Sequence, residues 1–282
     1  MILVTSAAGN TGRVIVQRLV AAGLEVLATD INPKVKELPG IKAAMVGDLT
    51  DLSFIHALME KATKVVYIPP LFSAEEALIG KHLVDAANAN QIEHFVFVSV
   101  IHPILTSLLQ HTAKRDVEEH LIYTGMTSQL PYTILQPMHY MHNFNPKMVK
   151  ETGEYGIFYD VDAKVGYVAT EDVADVIVKV LSEGKVHDKA TYELVGTAAY
   201  SPNDLVAMFN EMTGLQAKTA YIEVETFLNQ INANDLYFRE GFKQLAYSYS
   251  TWGLDGNVNV LTWLLGHAPT SFEDYVKAQL SE

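Results

Sequence analysis

The sequence predicts an α/β fold: a doubly wound parallel sheet of the nucleotide-binding type, with a smaller α+β lobe toward the carboxyl end. Three observations carry that prediction. Apolar runs of strand length alternate with helix-length segments through the first half; the opening stretch to Asp30 reads strand, glycine turn, helix, strand; and past about Phe144 the rhythm changes. Uninterrupted Val/Ile/Phe runs belong to strands buried on both faces, as in parallel sheets covered by helices.

The opening unit is the most informative. Ile2-Leu3-Val4-Thr5 is a strand, Ser6-Ala7-Ala8-Gly9-Asn10-Thr11-Gly12 a turn, and Arg13 to Val20 the body of a helix. In that helix Val14, Ile15, Leu19 and Val20 are expected to share the buried face, with Arg13, Gln17 and Arg18 in solvent, and Gly23 is the stop signal. A second apolar run closes on Asp30. This is the pattern of a dinucleotide site. Gly9 lets the backbone approach a pyrophosphate, Gly12 lets the helix pack closely on the first strand, and the helix N-terminus offers unpaired N–H groups. The Asp30 carboxylate is placed to accept hydrogen bonds from ribose hydroxyls. One position departs from a G-x-x-G-x-x-G pattern: Ser6 stands where the first glycine would be, and a positive φ costs serine more than glycine.

Further along, Val65-Val66-Tyr67-Ile68 is a strand ending at Pro69-Pro70, and Phe95-Val96-Phe97-Val98 one ending at Ser99. Between them Ala74 to Asn90 is helical, with Ala77, Leu78, Leu83, Val84 and Ala87 apolar. A helix from about Ser107 to Thr124 leads to the strand Tyr132-Thr133-Ile134-Leu135. The second part opens with turns rich in Gly and Tyr (Gly153 to Gly166). A helix over Asp172 to Leu181 and a strand near Tyr192 to Val195 follow. Ser201-Pro202 marks a helix start, with Ser201 as cap and Pro202 in the first turn. The final third reads as short helices with one strand near Thr219 to Ile222. The division is expected at 1–150 and 151–282, with some later segments returning to the first domain. Ligands of open α/β sheets sit beyond the carboxyl ends of the strands, so Gly9, Asp30, Pro69, Ser99 and Pro137 are expected to face one site.

A chain of 282 residues with 49% hydrophobic content can bury a large core. Its formal net charge of −13 argues against nucleic acid, whose binding needs clustered Lys and Arg. Without cysteine there are no disulfides, thiolate nucleophiles or Cys-based metal sites, which fits a cytoplasmic protein. The start reads as a strand rather than a signal peptide. The greasiest stretch, Phe95 to Leu109, is broken by His102 and Pro103 and too short to span a bilayer, so no membrane partner is expected.

Several segments together resemble the NmrA-like family, atypical members of the short-chain dehydrogenase/reductase superfamily. They are Ala8 to Arg13; Gly47-Asp48-Leu49-Thr50-Asp51; His94 to Ser99; Lys114-Arg115-Asp116-Val117-Glu118; Pro131 to Pro137; Glu171 to Val176; and Asn257 to Val276, with Trp263-Leu264-Leu265-Gly266. The resemblance covers nearly the whole chain and rests on order and spacing rather than on any single piece. It implies a Rossmann-type NAD(P) domain and a small substrate lobe. It also implies a divided record of function, in which some relatives reduce quinones, dyes or phenylpropanoid ethers and others sense NAD(P) and regulate partners.

Carried over by position, Asn10 and Thr11 would meet the pyrophosphate, within a turn that also holds Ser6, Ala8, Gly9 and Gly12. Asp48 and Leu49 would meet the adenine edge; the other reading of Asp48 is a cap for a helix beginning near Asp51. Pro69 and Pro70 would line the nicotinamide-ribose side, with Ser99 and Pro137 as further strand-end contacts. Asp30 beside a 2′-phosphate is a like-charge contact, so the cofactor is NAD(P) with a lean to NAD, which Arg13 and Lys34 can offset. Lys114 matches the family lysine that holds the nicotinamide ribose. Its other reading is a surface pair with Glu118 one helical turn on. The superfamily places a tyrosine proton donor four residues before that lysine; here the position is Gln110, a neutral amide that is no general acid.

With that tyrosine missing, Lys114 and Tyr140 are the catalytic candidates, and His111, Met138 and Tyr140 the substrate contacts. His102 is also within reach of the site by its position in the loop. For each histidine the other reading is a surface or core hydrogen bond. His94 reads as structural. His139 and His142 have no carboxylate at ligand spacing, so no metal is expected. Tyr140, Phe144, Tyr155, Phe158, Tyr159, Tyr247, Tyr249 and Trp252 read as packing residues, some of which could favour a flat apolar acceptor. The sequence thus points to an NAD(P)-dependent reductase acting on a small aromatic or quinone-like acceptor. The alternative is a non-catalytic NAD(P)-binding sensor that regulates a protein partner. Monomer and homodimer both stay open.

Overall fold

In the computed structural model, which describes residues 1–281, the apolar runs and their intervening segments become regular elements in the expected alternation. The chain passes through β1 (Ile2–Val4), α1 (Asn10–Ala21), β2 (Val26–Asp30), β3 (Ala43–Val46), α2 (Leu52–Met59) and β4 (Lys64–Tyr67). Next come α3 (Glu76–Ala89), β5 (His94–Val98), α4 (Leu109–Thr127) and β6 (Tyr132–Pro137). Then follow β7 (His139–Tyr140), α5 (Pro146–Thr152), β8 (Glu154–Ile157), β9 (Tyr167–Val168), α6 (Thr170–Glu183) and β10 (Ala190–Leu194). The last elements are α7 (Pro202–Thr213), β11 (Lys218–Tyr221), α8 (Val224–Gln230), α9 (Leu236–Trp252), α10 (Asn259–Leu265) and α11 (Phe272–Ser281).

Seven strands form one sheet in the order β3-β2-β1-β4-β5-β6-β10. The first six are parallel, with Ile2 in register with Val26 on one side and with Lys64 on the other. The winding direction therefore reverses at β1. In such sheets the crevice beyond the carboxyl ends of the strands at the reversal is where ligands bind. Leu3, Val65, Phe95, Phe97 and Ile134 are fully buried in the middle of this sheet. Helix α1 covers it with Ile15, Val16 and Leu19; Val16 takes the buried place expected of Val14, and Val20 is only half-buried. Gly23, at φ 76°, follows the end of α1 as the stop signal expected.

One compact unit contains residues 1–105, 110–137 and 173–192; the other contains 106–109, 138–172 and 193–282. These bounds differ from a division at 150, and 173–192 is a later segment that returns to the first unit. In the second unit β8 pairs in parallel with β11, and β7 with β9. The Gly/Tyr-rich stretch read as turns thus contains the strand β8. The final third is not only short helices, because α9 runs for 17 residues. Ser201 caps α7 as expected, its side chain accepting the Asp204 N–H in a reciprocal capping box. An aromatic core centred on Phe144 holds this unit together, with the rings of Tyr155, Phe209 and Phe272 packed around it. Among the described residues no helix is long and apolar enough to cross a membrane.

Candidate functional site: the glycine turn and the polar face of α4

The turn between β1 and α1 is built to keep backbone close to backbone. A Cβ on Gly12 would lie 2.2 Å from the Ser6 carbonyl oxygen and 2.7 Å from Ala7 Cα, so only glycine permits this helix–strand approach. Gly9 has ordinary extended angles (φ −72°, ψ 170°), and its value is the open space it leaves. Helix α1 has no side-chain cap and no acidic residue in its first turn, so its first N–H groups face outward as an anion-binding end. Ser6 does adopt the left-handed region, at φ 48°. Its hydroxyl offsets part of that strain by donating to the Ile68 carbonyl at 2.9 Å. Thr5 binds the same residue twice, donating to Ile68 O and accepting Ile68 N–H. The ends of β1 and β4 are thereby fastened together at the switch point.

Asp30 supports the turn from the other side. One carboxylate oxygen accepts the Ala8 N–H and the other the Asn32 N–H, both at 2.9 Å. A carboxylate offers about four lone-pair positions, so it retains capacity for hydroxyl donors. Beside it lies a cavity of about 390 Å³, lined among others by Ser6, Asp30, Ile31, Asp48, Leu49 and Pro70. Asp48, Leu49 and Pro70 thus share one pocket with Asp30, and Pro70 stands with the residues assigned to adenosine. Ser73 and Glu75, which sequence reasoning missed, also line it. Asp48 does not cap α2: that role belongs to Asp51, whose carboxylate accepts the Ser53 and Phe54 N–H groups. Asp48 instead accepts the Thr50 N–H in the loop after β3.

Helix α4 contributes a stripe of polar residues at four-residue spacing: Gln110, Lys114 and Glu118. Helices α3 and α4 meet closely at Gly80, where a Cβ would lie 2.4 Å from a Val117 methyl carbon. One turn back on each helix, that contact brings Glu76 and Lys114 together. Lys114 Nζ donates to Glu76 Oε1 at 2.6 Å, with the two side chains 13% and 1% exposed. Burial pushes the Glu76 carboxyl above the usual range, against the pull of the Lys114 charge. The other Glu76 oxygen, Oε2, is buried without a hydrogen-bond partner, and so is Oε1 of Gln110.

The surface pair of Lys114 with Glu118 does not form, because Glu118 is buried and turned to the strand ends. It accepts Ser99 Oγ at 2.5 Å and Gln136 Nε2 at 2.9 and 3.0 Å. Burial raises its carboxyl too, offset in part by those two hydrogen bonds. His111 is buried, with Nδ1 3.0 Å from the His102 carbonyl, and burial lowers its pKa to about 4. It is neutral at physiological pH and cannot serve as a charged acid. Pro137 closes β6, its carbonyl accepting the Ile101 N–H; Pro69 is half-buried after β4. Glu76 was not singled out in sequence, and Glu118 only as a surface partner of Lys114. The only signals for them were an acid in a first helical turn and a carboxylate four residues beyond the lysine.

Met138 and Tyr140 belong to the second unit. Met138 is buried and packs against Gly166, and the Tyr140 ring stacks on His142 at 5.1 Å. His139 lies 3.3 Å from the Tyr249 hydroxyl and accepts the Asn143 amide, and His142 Nδ1 lies 2.9 Å from Thr170 Oγ1. His94 is a core residue, 2.8 Å from the Thr133 hydroxyl.

The sheet order, its reversal at β1 and the glycine turn define a Rossmann-type α/β protein. More particularly, the chain matches the NmrA-like family over residues 1–276, and it belongs to that family. Quinone oxidoreductase 2 of Escherichia coli (strain K12) is 22% identical over 286 residues, covering 98% of this chain and 97% of that protein. Triphenylmethane reductase of Citrobacter sp., solved with NADP(H), has a TM-score of 0.79 at 19% identity, covering 99% of this chain and 100% of that one. NmrA, a negative transcriptional regulator, has a TM-score of 0.78 at 18% identity, covering 98% of this chain and 94% of that one. At such identities the structural likeness establishes the fold.

Proposed function

We propose that this protein is an NAD(P)-dependent reductase that passes hydride to a small, flat aromatic or quinone-like acceptor, with NAD favoured over NADP. The observation that carries the reading is the uncapped N-terminus of α1 above a turn that only glycine allows at position 12, beside a pocket lined by Asp30. Those groups fit a dinucleotide: N–H groups for the diphosphate and a carboxylate for the ribose hydroxyls. When bound, the nicotinamide would supply the hydride. The chain's own residues bind and orient: Ser6 to Gly12 hold the diphosphate, Asp48 and Leu49 the adenine, and Lys114 the second ribose.

Charge supports the lean to NAD. The pocket lining carries Asp30, Asp48 and Glu75 and no Lys or Arg, so a 2′-phosphate would meet carboxylates. In this respect the chain would differ from the Citrobacter reductase, which was solved with NADP(H).

The acceptor follows from what the site lacks. Gln110 replaces the tyrosine acid, His111 is neutral, and the Ser99 proton is committed to Glu118. A quinone needs little from a placed acid, because water can protonate the reduced product. The same features favour the second reading, a dinucleotide sensor without turnover that alters its hold on a protein partner. Mixing the protein with NADH or NADPH and a panel of quinones, and following absorbance, decides between them. Oxidation supports the reductase, and tight cofactor binding without oxidation supports the sensor.

A further inference from the structure

We propose that Asp255-Gly256 is a site of spontaneous main-chain modification, where the chain closes a cyclic imide, reopens it as isoaspartate and thereby loosens the hold of Leu254 on residues 164–166. The site is independent of the dinucleotide reading.

Geometry singles it out. The sequence contains one Asp-Gly pair, at 255–256, and no Asn-Gly. Asp255 is exposed, and the pair lies outside helix and strand, between Leu254 and α10. The Gly256 N–H donates to Asp255 Oδ1 at 2.7 Å. Cγ is one bond from that oxygen, so the attacking nitrogen and the carbon it attacks are already turned toward each other. Such pre-alignment is what speeds an intramolecular reaction. Other loop aspartates are arranged differently: Asp30, Asp48, Asp51 and Asp160 each accept the N–H two residues on. That turn directs the carboxylate to a later nitrogen. Gly256 also lacks a Cβ that would crowd its nitrogen and restrict its approach.

The chemistry needs only water. The Gly256 nitrogen bonds to Asp255 Cγ and gives up its proton, which leaves with the hydroxyl of the carboxylic acid as water. Water then adds to either carbonyl of the imide. Breaking the nitrogen–Cγ bond restores aspartate. Breaking the bond from the nitrogen to the Asp255 main-chain carbonyl carbon leaves the chain running through Cβ and Cγ, with a free carboxylate on Cα. Nothing is oxidised or reduced.

Both flanks of the pair are fastened. Leu254 is buried; its N–H donates to the Lys164 carbonyl at 3.0 Å, and its own carbonyl accepts the Gly166 N–H at 2.8 Å. On the other side, Asn257 Oδ1 accepts the Asn259 N–H at 2.8 Å where α10 begins. Isoaspartate adds a carbon to the main chain between these anchors. The extra length displaces Leu254, the nearest fastened residue, and with it the approach to β9.

The test ages the purified full-length protein at physiological temperature, folded and in guanidinium chloride. Isoaspartate is counted with isoaspartyl methyltransferase and a labelled methyl donor, and peptide mapping locates it. The expected result is label on the peptide carrying Asp255, gained by the folded protein at least as fast as by the unfolded chain. Gly256→Ala should slow that gain about tenfold, and Asp255→Glu, which would have to close a larger ring, should abolish it there. Aged wild type should melt below fresh protein, whereas Asp255→Glu should keep its Tm on ageing. Slower labelling of the folded protein than of the unfolded chain overturns the proposal, as does label confined to other residues. Full conversion at Asp255 with an unchanged Tm overturns it too, because Leu254 would then have kept its hold.

Discussion

Asp30 Oδ2 accepts the Ala8 backbone N–H at 2.9 Å, so the acidic end of β2 is fastened to the turn that opens α1. The same carboxylate that would meet a ribose also holds the turn from Ser6 to Gly12 in shape. Asp30→Ala leaves the Ala8 and Asn32 N–H groups without their partner, at a cost of about 1–3 kcal/mol. Asp30→Asn keeps an acceptor oxygen and removes the charge. We expect Asp30→Asn to bind NADP relatively better than the wild type, read as the ratio of NAD⁺ to NADP⁺ affinities. An unchanged ratio removes Asp30 from cofactor choice.

The two glycines of the turn separate folding from binding. Gly12→Ala forces a methyl group onto the Ser6 carbonyl and should destabilise the fold by about 1–3 kcal/mol or more, seen as a lower Tm. Gly9→Ala has angles any residue adopts and a nearest contact of 3.3 Å, so its Tm should move little. Its methyl group lies where a diphosphate would approach, and affinity for NADH should drop. Equal losses of Tm in the two variants would contradict this assignment.

Lys114 holds a carboxylate that is almost wholly buried. Lys114→Met strands that charge and should cost about 3–5 kcal/mol in denaturant unfolding. Adding Glu76→Gln to the same chain removes the stranded charge and should restore much of the loss. Additive losses in the double variant would mean that the two residues are not coupled.

Three histidines set an acid limb to stability. Burial holds His94, His111 and His139 at about 4, against about 6.5 in the unfolded chain. Between those values the unfolded state binds more protons, so the stabilisation is complete above pH 6.5 and is lost as pH falls toward 4. Each contributes up to about 3 kcal/mol. The raised carboxyls of Glu76 and Glu118 act in the opposite sense, being relieved as they protonate, but burial also lowers His142, so they are two against four. Tm should fall between pH 7 and pH 5, and a flat profile over that window would contradict the burial of neutral imidazoles.

The parts of the fold legible in sequence were those with local signals. The opening strand, glycine turn and helix, the Ser201 cap and the apolar runs of β4, β5 and β6 each announce themselves within a few residues. What stayed hidden depends on distant partners. Ser6 tolerates its left-handed angle because of Ile68, which the order of strands brings alongside. Strand β8 lies among turn-forming glycines and is stabilised by β11, far along the chain. Glu76 reads as a solvated acid in a first helical turn until Gly80 allows α3 to close on α4. Even Lys114 and Glu118, ideally spaced for each other, choose other partners, because Ser99 and Gln136 hold Glu118 from the strand ends.

The central claim is that the turn from Ser6 to Gly12, with Asp30, holds a nicotinamide dinucleotide, and direct titration of the wild type with NADH and NADPH tests it. Calorimetry should show saturable binding of one equivalent, tighter for NADH, and markedly weakened in Gly9→Ala. Absence of measurable binding for either cofactor, in a protein that melts cooperatively, would contradict the account.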